Sequence, residues 1–272
     1  MEPDPDGRAL HLRGSLEAAV IHGKDDILIA MIEEQFDRLT CWQDHAIGQD
    51  ALRIAAKRGN VKACRALQHH FSDDMCSTFL HEAAFANQSE TFDFLCTFTT
   101  GIRETEWETQ AELLAMFGMR GKWFKRLHEH RPISQQGFRR AFVFSKPEDM
   151  EWFGCRAGPL SAMLAAVIRY ATDFENYDGF APQLRWIMEK GGRVEEFHLR
   201  LALRGHPTLF ARLITRQNAN SALVIAAEYG CHEGADAAVL AGAKPRYALT
   251  ATIAGGRRLA IRFLEDMVLH VI

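Results

Sequence analysis

The chain has 272 residues, of which 47% are hydrophobic and 25% are charged, so it has enough apolar side chains for a continuous core. Its formal net charge of −3 argues against a dedicated nucleic-acid-binding protein, which would usually be strongly basic. No apolar run approaches the roughly 18 residues of a membrane-spanning helix. None of the six cysteines forms a CxxC pair, and the chain is far longer than the small scaffolds that need disulfides, so we expect reduced thiols and a cytoplasmic protein.

The first 12 residues are acidic and proline-rich, unlike a secretory signal peptide, and are expected to form a flexible lead-in. From residue 13 to residue 272 the sequence predicts one repeat domain. A pair of small residues, then a polar turn, then a second apolar run recurs about every 29 residues. This pattern predicts nine pairs of helices, whose first helices centre, in chain order, on Ala18–Ala19, Ala55–Ala56, Ala83–Ala84, Ala115, Ala141, Ala165–Ala166, Ala202, Ala226–Ala227 and Ala251.

The composition of these segments explains how such helices would stack. Alanine lets the backbones of neighbouring helices approach closely, while leucine, isoleucine and valine fill the gaps. The turns within the pairs are indicated by Gly59-Asn60 and by Gly205-His206-Pro207, because glycine ends helices and proline begins them. No alternating strand pattern is present, so the sequence predicts an all-α fold.

The segment Thr78-Phe79-Leu80-His81-Glu82-Ala83-Ala84 resembles the ankyrin-repeat family, whose units carry Thr-Pro-Leu-His-x-Ala-Ala before a Gly-His or Gly-Asn turn. The segment from Ala51 to Leu67 keeps the Leu, Ala-Ala and Gly-Asn positions, and those beginning at Ser15 and Ser221 keep less. The fourth to seventh units keep only the recurrence of paired helices, and the units are mostly shorter than those of the family. The resemblance implies a helical-hairpin solenoid of about nine degenerate ankyrin-like repeats; a generic helical-hairpin solenoid is the alternative.

No motif for phosphate binding, dinucleotide binding, zinc proteolysis or serine hydrolysis is present. His128 and His130 alternate along a predicted helix and would point apart, so they do not predict a metal site. The sequence therefore predicts a protein that is not an enzyme and has no catalytic residues, cofactor or metal.

Charge alternates between neighbouring units. From Asp73 to Glu112 there are nine acids and one base, and from Gly118 to Arg140 there are seven bases and one acid. This alternation indicates either mutual neutralisation of stacked units or a dipolar surface that orients a charged partner. Under the second interpretation the partner-binding candidates are Glu104, Glu106, Trp107, Glu108, Lys122, Trp123, Lys125, Arg126, Arg131, Arg139 and Arg140.

A second candidate is the insertion between residues 172 and 182, which is longer than the other turns within pairs. Insertions in a solenoid often form its binding feature, which nominates Asp173, Phe174, Tyr177 and Phe180. The alternative is that Phe174 and Phe180 fold back to cover the side of the helices.

The sequence therefore predicts a non-catalytic module that binds a partner protein on its concave or loop face. The partner is expected to be a protein, with nucleic acid unlikely, no membrane contact, and self-association possible through the complementary charged segments. The degenerate units also resemble ankyrin domains of bacterial effector proteins, which implies a virulence factor delivered into a host cell by a specialised secretion system. The alternatives are an inhibitor or immunity protein that blocks a toxin or enzyme, and an enzyme with a composite site near residues 172–182.

Overall fold

The computed structural model describes residues 14–35, 42–68, 79–97, 104–116 and 121–270. Within these ranges every regular element is helical and no β-strand occurs, which confirms the all-α class. The chain divides into two compact units, Met1–Arg156 and Ala157–Ile272, so the division falls within the predicted repeat domain. The predicted lead-in lies outside the described residues.

The described part of unit 1 contains ten α-helices and a 3₁₀ turn at Pro147–Asp149. The helices are α1 (14–21), α2 (Asp25–Gln35), α3 (Trp42–Arg58), α4 (Val61–Gln68), α5 (Leu80–Phe85), α6 (Ser89–Thr97), α7 (Glu104–Met116), α8 (Gly121–His130), α9 (Gln135–Phe144) and α10 (Met150–Gly154). The odd-numbered helices α3, α5, α7 and α9 pack in succession, and α2, α4, α6 and α8 form a second succession. The described helices of unit 1 therefore lie in two layers.

Unit 2 repeats this arrangement within its described residues. Its helices are α11 (Leu160–Asp173), α12 (Ala181–Glu189), α13 (Glu196–Gly205), α14 (Pro207–Leu213), α15 (Ala219–Glu228), α16 (His232–Leu240), α17 (Pro245–Ala254) and α18 (Arg258–His270). Helices α11, α13, α15 and α17 pack in succession, and each packs against the helix that follows it. Every small residue predicted to mark a first helix, in both units, lies within a helix.

Buried alanines lie where the layers meet. Ala202 and Ala226 are fully buried on α13 and α15, which pack on each other. Leu199 and Leu223 occupy the neighbouring buried positions and are also fully buried. Alanine and leucine are thus both buried between helices that pack on each other, where the sequence analysis expected them.

The turn inside a pair recurs with one geometry. Residues with positive φ stand at Gly23, Gly59, Asn87, Gly230 and Gly256, each just after a first helix. At Gly59, with φ of 77°, the following backbone N–H of Asn60 donates to the carbonyl oxygen of Ala55 at 3.0 Å. The N–H of Cys231 donates to Ala226 in the same way at 2.9 Å. This is the Schellman ending of a helix, and it explains why glycine or asparagine stands at this position.

The turn at His206 is different, because Pro207 forces the preceding residue out of the helical region. His206 is extended, with φ of −161°, and its Nδ1 accepts a hydrogen bond from the backbone N–H of Thr208 at 3.2 Å. Helix α13 ends at Gly205 and α14 begins at Pro207, as the sequence indicated.

Candidate functional site

Trp107 is a core residue rather than a surface anchor. The sequence placed it in an exposed loop, but it lies in α7 with 1% of its surface exposed. Its indole N–H donates to the carbonyl oxygen of Arg131 at 3.1 Å, and the guanidinium of Arg131 lies 5.9 Å from the ring centroid. The prediction that Trp107 contacts a partner is therefore wrong in this conformation, because α7 buries the ring and the turn after α8 holds it.

Trp123 is also buried, with 3% of its surface exposed. Its ring packs on Phe92 with the centroids 4.8 Å apart, so it joins α8 to α6. The ammonium of Lys122 lies 4.8 Å from the Trp123 centroid and also donates to Asn87. Lys122 and Lys125 themselves are exposed. The aromatic anchor predicted within the basic segment thus belongs to the core, while two of its lysines remain on the surface.

Several of the predicted charges are paired between neighbouring helices of unit 1. Arg126 Nε lies 2.7 Å from Asp93 Oδ1, and Arg140 Nη1 lies 3.6 Å from Glu112 Oε2. These pairs favour the neutralisation interpretation at these positions. Arg139 is half-buried, and the side chains of Glu104 and Glu106 lie outside the described residues.

Glu108 is 5% exposed and accepts a hydrogen bond from the Ser134 hydroxyl, so it is a buried structural group rather than a partner contact. The two histidines nearby have separate partners. His128 Nδ1 accepts from the backbone N–H of Ile133 at 2.9 Å, whereas His130 Nε2 lies 3.3 Å from Asp93. Within the described residues no group of three or more His, Cys, Asp or Glu side chains is arranged to hold a metal.

Residues near both ends and in the middle of the insertion of unit 2 contact neighbouring helices or turns of the same unit. Phe180 is 6% exposed and therefore covers the helices, as the alternative interpretation predicted. Phe174 stacks on Tyr170 with the centroids 6.1 Å apart, yet half of its surface is exposed. The rings of Tyr177 and His206 lie with their centroids 4.8 Å apart. Asp178 Oδ1 pairs with Arg212 Nη2 at 2.6 Å.

The insertion therefore presents Phe174, next to the exposed Asp173 at the end of α11, whereas Phe180 cannot contact a partner in this conformation. The loop itself spans residues 174–180, two residues shorter at each end than the predicted insertion, because α11 continues to Asp173 and α12 begins at Ala181.

Three first helices of unit 2, α13, α15 and α17, share an exposed face that the sequence did not nominate. Residues at positions i, i+3 and i+7 lie on one side of a helix. The register between the helices follows from their buried residues, which recur as His198, Ala222 and Ala248, and again as Ala202, Ala226 and Thr252. The α13–α15–α17 face comprises Phe197, Arg200, Arg204, Ser221, Val224, Glu228, Tyr247, Thr250 and Ala254.

The two aromatic residues of this face lie on its outer helices. Phe197 is 47% exposed on α13, and Tyr247 is 62% exposed at the equivalent position of α17. The small Ser221 stands at that position on α15, between them. The middle of the face, at Ser221, therefore carries a small side chain and lies between two larger aromatic rings.

An ion-pair ladder crosses the face and joins three successive helix pairs. Arg200 Nη1 lies 2.6 Å from Glu228 Oε2, and its Nη2 lies 2.7 Å from Glu196 Oε1. Arg257, in the turn after α17, contacts the other carboxylate oxygen of Glu228. The hydrogen bond to Glu228, followed by that to Glu196, raises the pKa of Arg200 above its usual value. The ladder fixes the side chains of adjacent pairs relative to one another.

Tyr229 extends the face at the end of α15, with 42% of its surface exposed. Arg204 Nε donates to the Tyr229 hydroxyl oxygen at 3.1 Å. The pKa of Tyr229 is lowered, first by this hydrogen bond and then, against the effect of burial, by the positive charges of Arg204 and Arg200. The result is a tyrosine and an arginine held together at the surface.

No protein-family model, curated protein or solved structure matches this chain. Its resemblance to ankyrin repeats therefore stays a prediction, and its function has to be inferred from its own residues. In the described ranges, no helix combines the length and the apolar composition that crossing a bilayer requires.

A sequence signal for the α13–α15–α17 face does exist. Phe197, Ser221 and Tyr247 each precede a buried residue of the repeated pattern, so aligning the last three pairs would have placed them in one row. The runs of like charge in unit 1 pointed to its residues instead, because Gly118 to Arg140 contains seven bases in 23 residues, whereas Phe197 to Ala227 contains four arginines in 31.

Proposed function

We propose that this chain is a degenerate ankyrin-like helical solenoid of nine helix pairs that recognises another protein, and that the α13–α15–α17 face supplies its main contacts. The observation that carries the proposal is the exposure of Phe197 and Tyr247 on one face, together with the Arg204–Tyr229 pair at the ends of α13 and α15. Tyrosine and arginine dominate the energetics of protein interfaces, and a large aromatic ring adds contact area at low entropic cost.

The frame beneath the face supports this proposal. Adjacent helices are joined by buried leucines and alanines and by the ladder through Glu228, so the exposed side chains need little ordering when a partner binds. A face built from several stacked helices is also the surface that repeat proteins typically offer to partners. On unit 2, the exposed Asp173 and Phe174 of the insertion are further contact candidates, and on unit 1 Lys122 and Lys125 are.

The proposal is tested by capture of binding proteins from cell extracts on the immobilised full chain. Three proteins are compared: the unchanged chain, a Phe197→Ala/Tyr247→Ala double variant, and a Met188→Ala control. Met188 is 39% exposed on α12, outside the face, so its removal deletes exposed apolar surface elsewhere in the same unit. Each variant must first show the far-ultraviolet circular dichroism and melting temperature of the unchanged chain.

The expected result is a protein that is retained by the unchanged chain and the control and is lost by the double variant. Each aromatic truncation at an interface centre weakens binding by about tenfold or more. Retention of the same proteins by all three would contradict a role for this face, and the absence of any specifically retained protein would contradict the recognition function.

A further inference from the structure

The α13–α15–α17 face has a surplus of positive charge. Its ladder uses both local carboxylates, because Arg200 pairs with Glu196 and Glu228 and Arg257 pairs again with Glu228. Arg204 remains outside the ladder, and among the described residues its polar partner is the Tyr229 hydroxyl rather than a carboxylate. A third acid, the exposed Glu195, stands just before the first residue of α13, at the end of the helix opposite Arg204.

The surrounding sequence strengthens this surplus. From Glu195 to Asp266, all of which the structure describes, there are nine basic residues and seven acids, and only three of the basic residues, Arg200, Arg212 and Arg257, are paired with carboxylates. Arg246 and Arg258 are exposed, and within the described part of the chain neither has a carboxylate at ion-pair distance. A surface of this kind attracts acidic segments and repels basic ones.

The dimensions of the face indicate how long a segment it can hold. Packed helices lie about 8–10 Å apart, so two helix spacings separate Phe197 from Tyr247 by roughly 16–20 Å. An extended chain advances about 3.3 Å per residue, so about five or six residues span this distance. The small side chain at Ser221 lets such a segment cross between the two rings.

We infer that the partner presents an acidic segment of about nine residues. About five or six of them span Phe197 and Tyr247 with apolar contacts, and about three more run along α13 to place a carboxylate at Arg204, roughly 10 Å from Phe197 along the helix. This inference rests on the function proposed above and adds the chemistry of the partner. Arginine suits this role because its planar fork can bind a carboxylate through two parallel hydrogen bonds. Tyr229 holds the Nε side of that fork, which positions the guanidinium before the partner arrives.

The inference is tested with a display library of random twelve-residue peptides, selected on the immobilised full chain at low salt. Enriched peptides are then synthesised, and their affinities are measured by fluorescence anisotropy. The variants are Arg204→Glu and, as a matched control, Arg185→Glu. Arg185 is exposed on α12, outside the face, so both variants change the net charge of the same unit by the same amount.

The expected result is enrichment of peptides in which Asp or Glu alternates with apolar residues. Arg204→Glu should weaken their binding about tenfold, Arg185→Glu less than about twofold, and added salt should weaken binding to the unchanged chain. Phe197→Ala should also weaken it about tenfold.

Two results would overturn the inference. The first is enrichment of neutral or basic peptides whose binding depends on Phe197 but not on Arg204, which would leave the recognition function standing and refute the acidic partner. The second is the absence of any enriched peptide, which would refute an extended segment as the ligand. Capture of a folded partner protein by the same face would then separate failure of this inference from failure of the proposed function.

Discussion

Helices α7–α9 of unit 1 and the α13–α15–α17 face of unit 2 contain the same kinds of residue in opposite settings. In α7–α9 the rings of Trp107 and Trp123 are buried, and Arg140 pairs with a carboxylate of the neighbouring helix. On the face of unit 2, aromatic rings are exposed and Arg204 has no carboxylate partner among the described residues. Aromatic and basic composition is therefore a poor guide to a binding surface, whereas the position of a residue within the helical repeat decides whether it reaches solvent.

The largest expected effect is on the free energy of unfolding when one aromatic ring is removed from each region. Trp107→Ala should lower the free energy of unfolding by about 3–5 kcal/mol, because it leaves a cavity and removes the hydrogen bond from the indole to the Arg131 carbonyl. Tyr247→Ala should lower it by less than about 1 kcal/mol, because the ring is mostly solvated. Urea unfolding followed by circular dichroism measures both, and equal losses would refute the assignment of one ring to the core and the other to the surface.

A second test compares the turns of the two units. Asn87 in unit 1 and Gly230 in unit 2 hold the same position with φ of 61° and 64°. Gly230→Asn should therefore cost less than about 0.5 kcal/mol, whereas Gly230→Val should cost about 2 kcal/mol, because β-branched residues avoid positive φ. A Cβ at Gly230 meets no atom within 4 Å, so crowding does not contribute. Equal melting temperatures for the two variants would show that the turn is not strictly required.

The smallest expected effect is a difference in the pH at which two tyrosines of unit 2 ionise. Arg204 lowers the pKa of Tyr229, whereas burial and then the charge of Glu175 raise the pKa of Tyr177. Tyr229 should thus ionise first in a titration followed by absorbance at 295 nm, and Arg204→Gln should move that first step to higher pH. Tyr177→Phe, as control, should leave the step in place.

The sign of the linked stability effect follows from these directions. Because the folded-state pKa of Tyr229 lies below its unfolded value of about 10, its ionisation contributes its full stabilisation above about pH 10, and this contribution is lost as the pH falls through the folded-state pKa. Neutral-pH stability should be the same for Tyr229→Phe and the unchanged chain, apart from the lost hydrogen bond to Arg204. If Arg204→Gln leaves the pH of the first tyrosine ionisation unchanged, the hydrogen bond between Arg204 and Tyr229 is refuted.

The fold was largely predictable because it depends on local periodicity. Ala226–Ala227 and the following Gly230 are enough to place a helix, its buried side and its end. The site was less predictable, because exposure depends on neighbouring helices. Trp107 stands among glutamates and looked exposed, yet the turn at Arg131, 24 residues later, covers it. Likewise, nothing adjacent to Glu228 shows that Arg200 and Arg257 will meet there, since those contacts form only when three pairs stack.

The separation of buried and exposed positions on α13, α15 and α17 has an evolutionary consequence. The buried positions specify the stack, and the exposed positions of Phe197, Ser221 and Tyr247 are under no packing demand from it. Substitutions there can change the target without disturbing the frame. Selection can therefore diversify such a surface quickly, and a protein engineer could randomise the same positions to obtain new binders on an unchanged backbone.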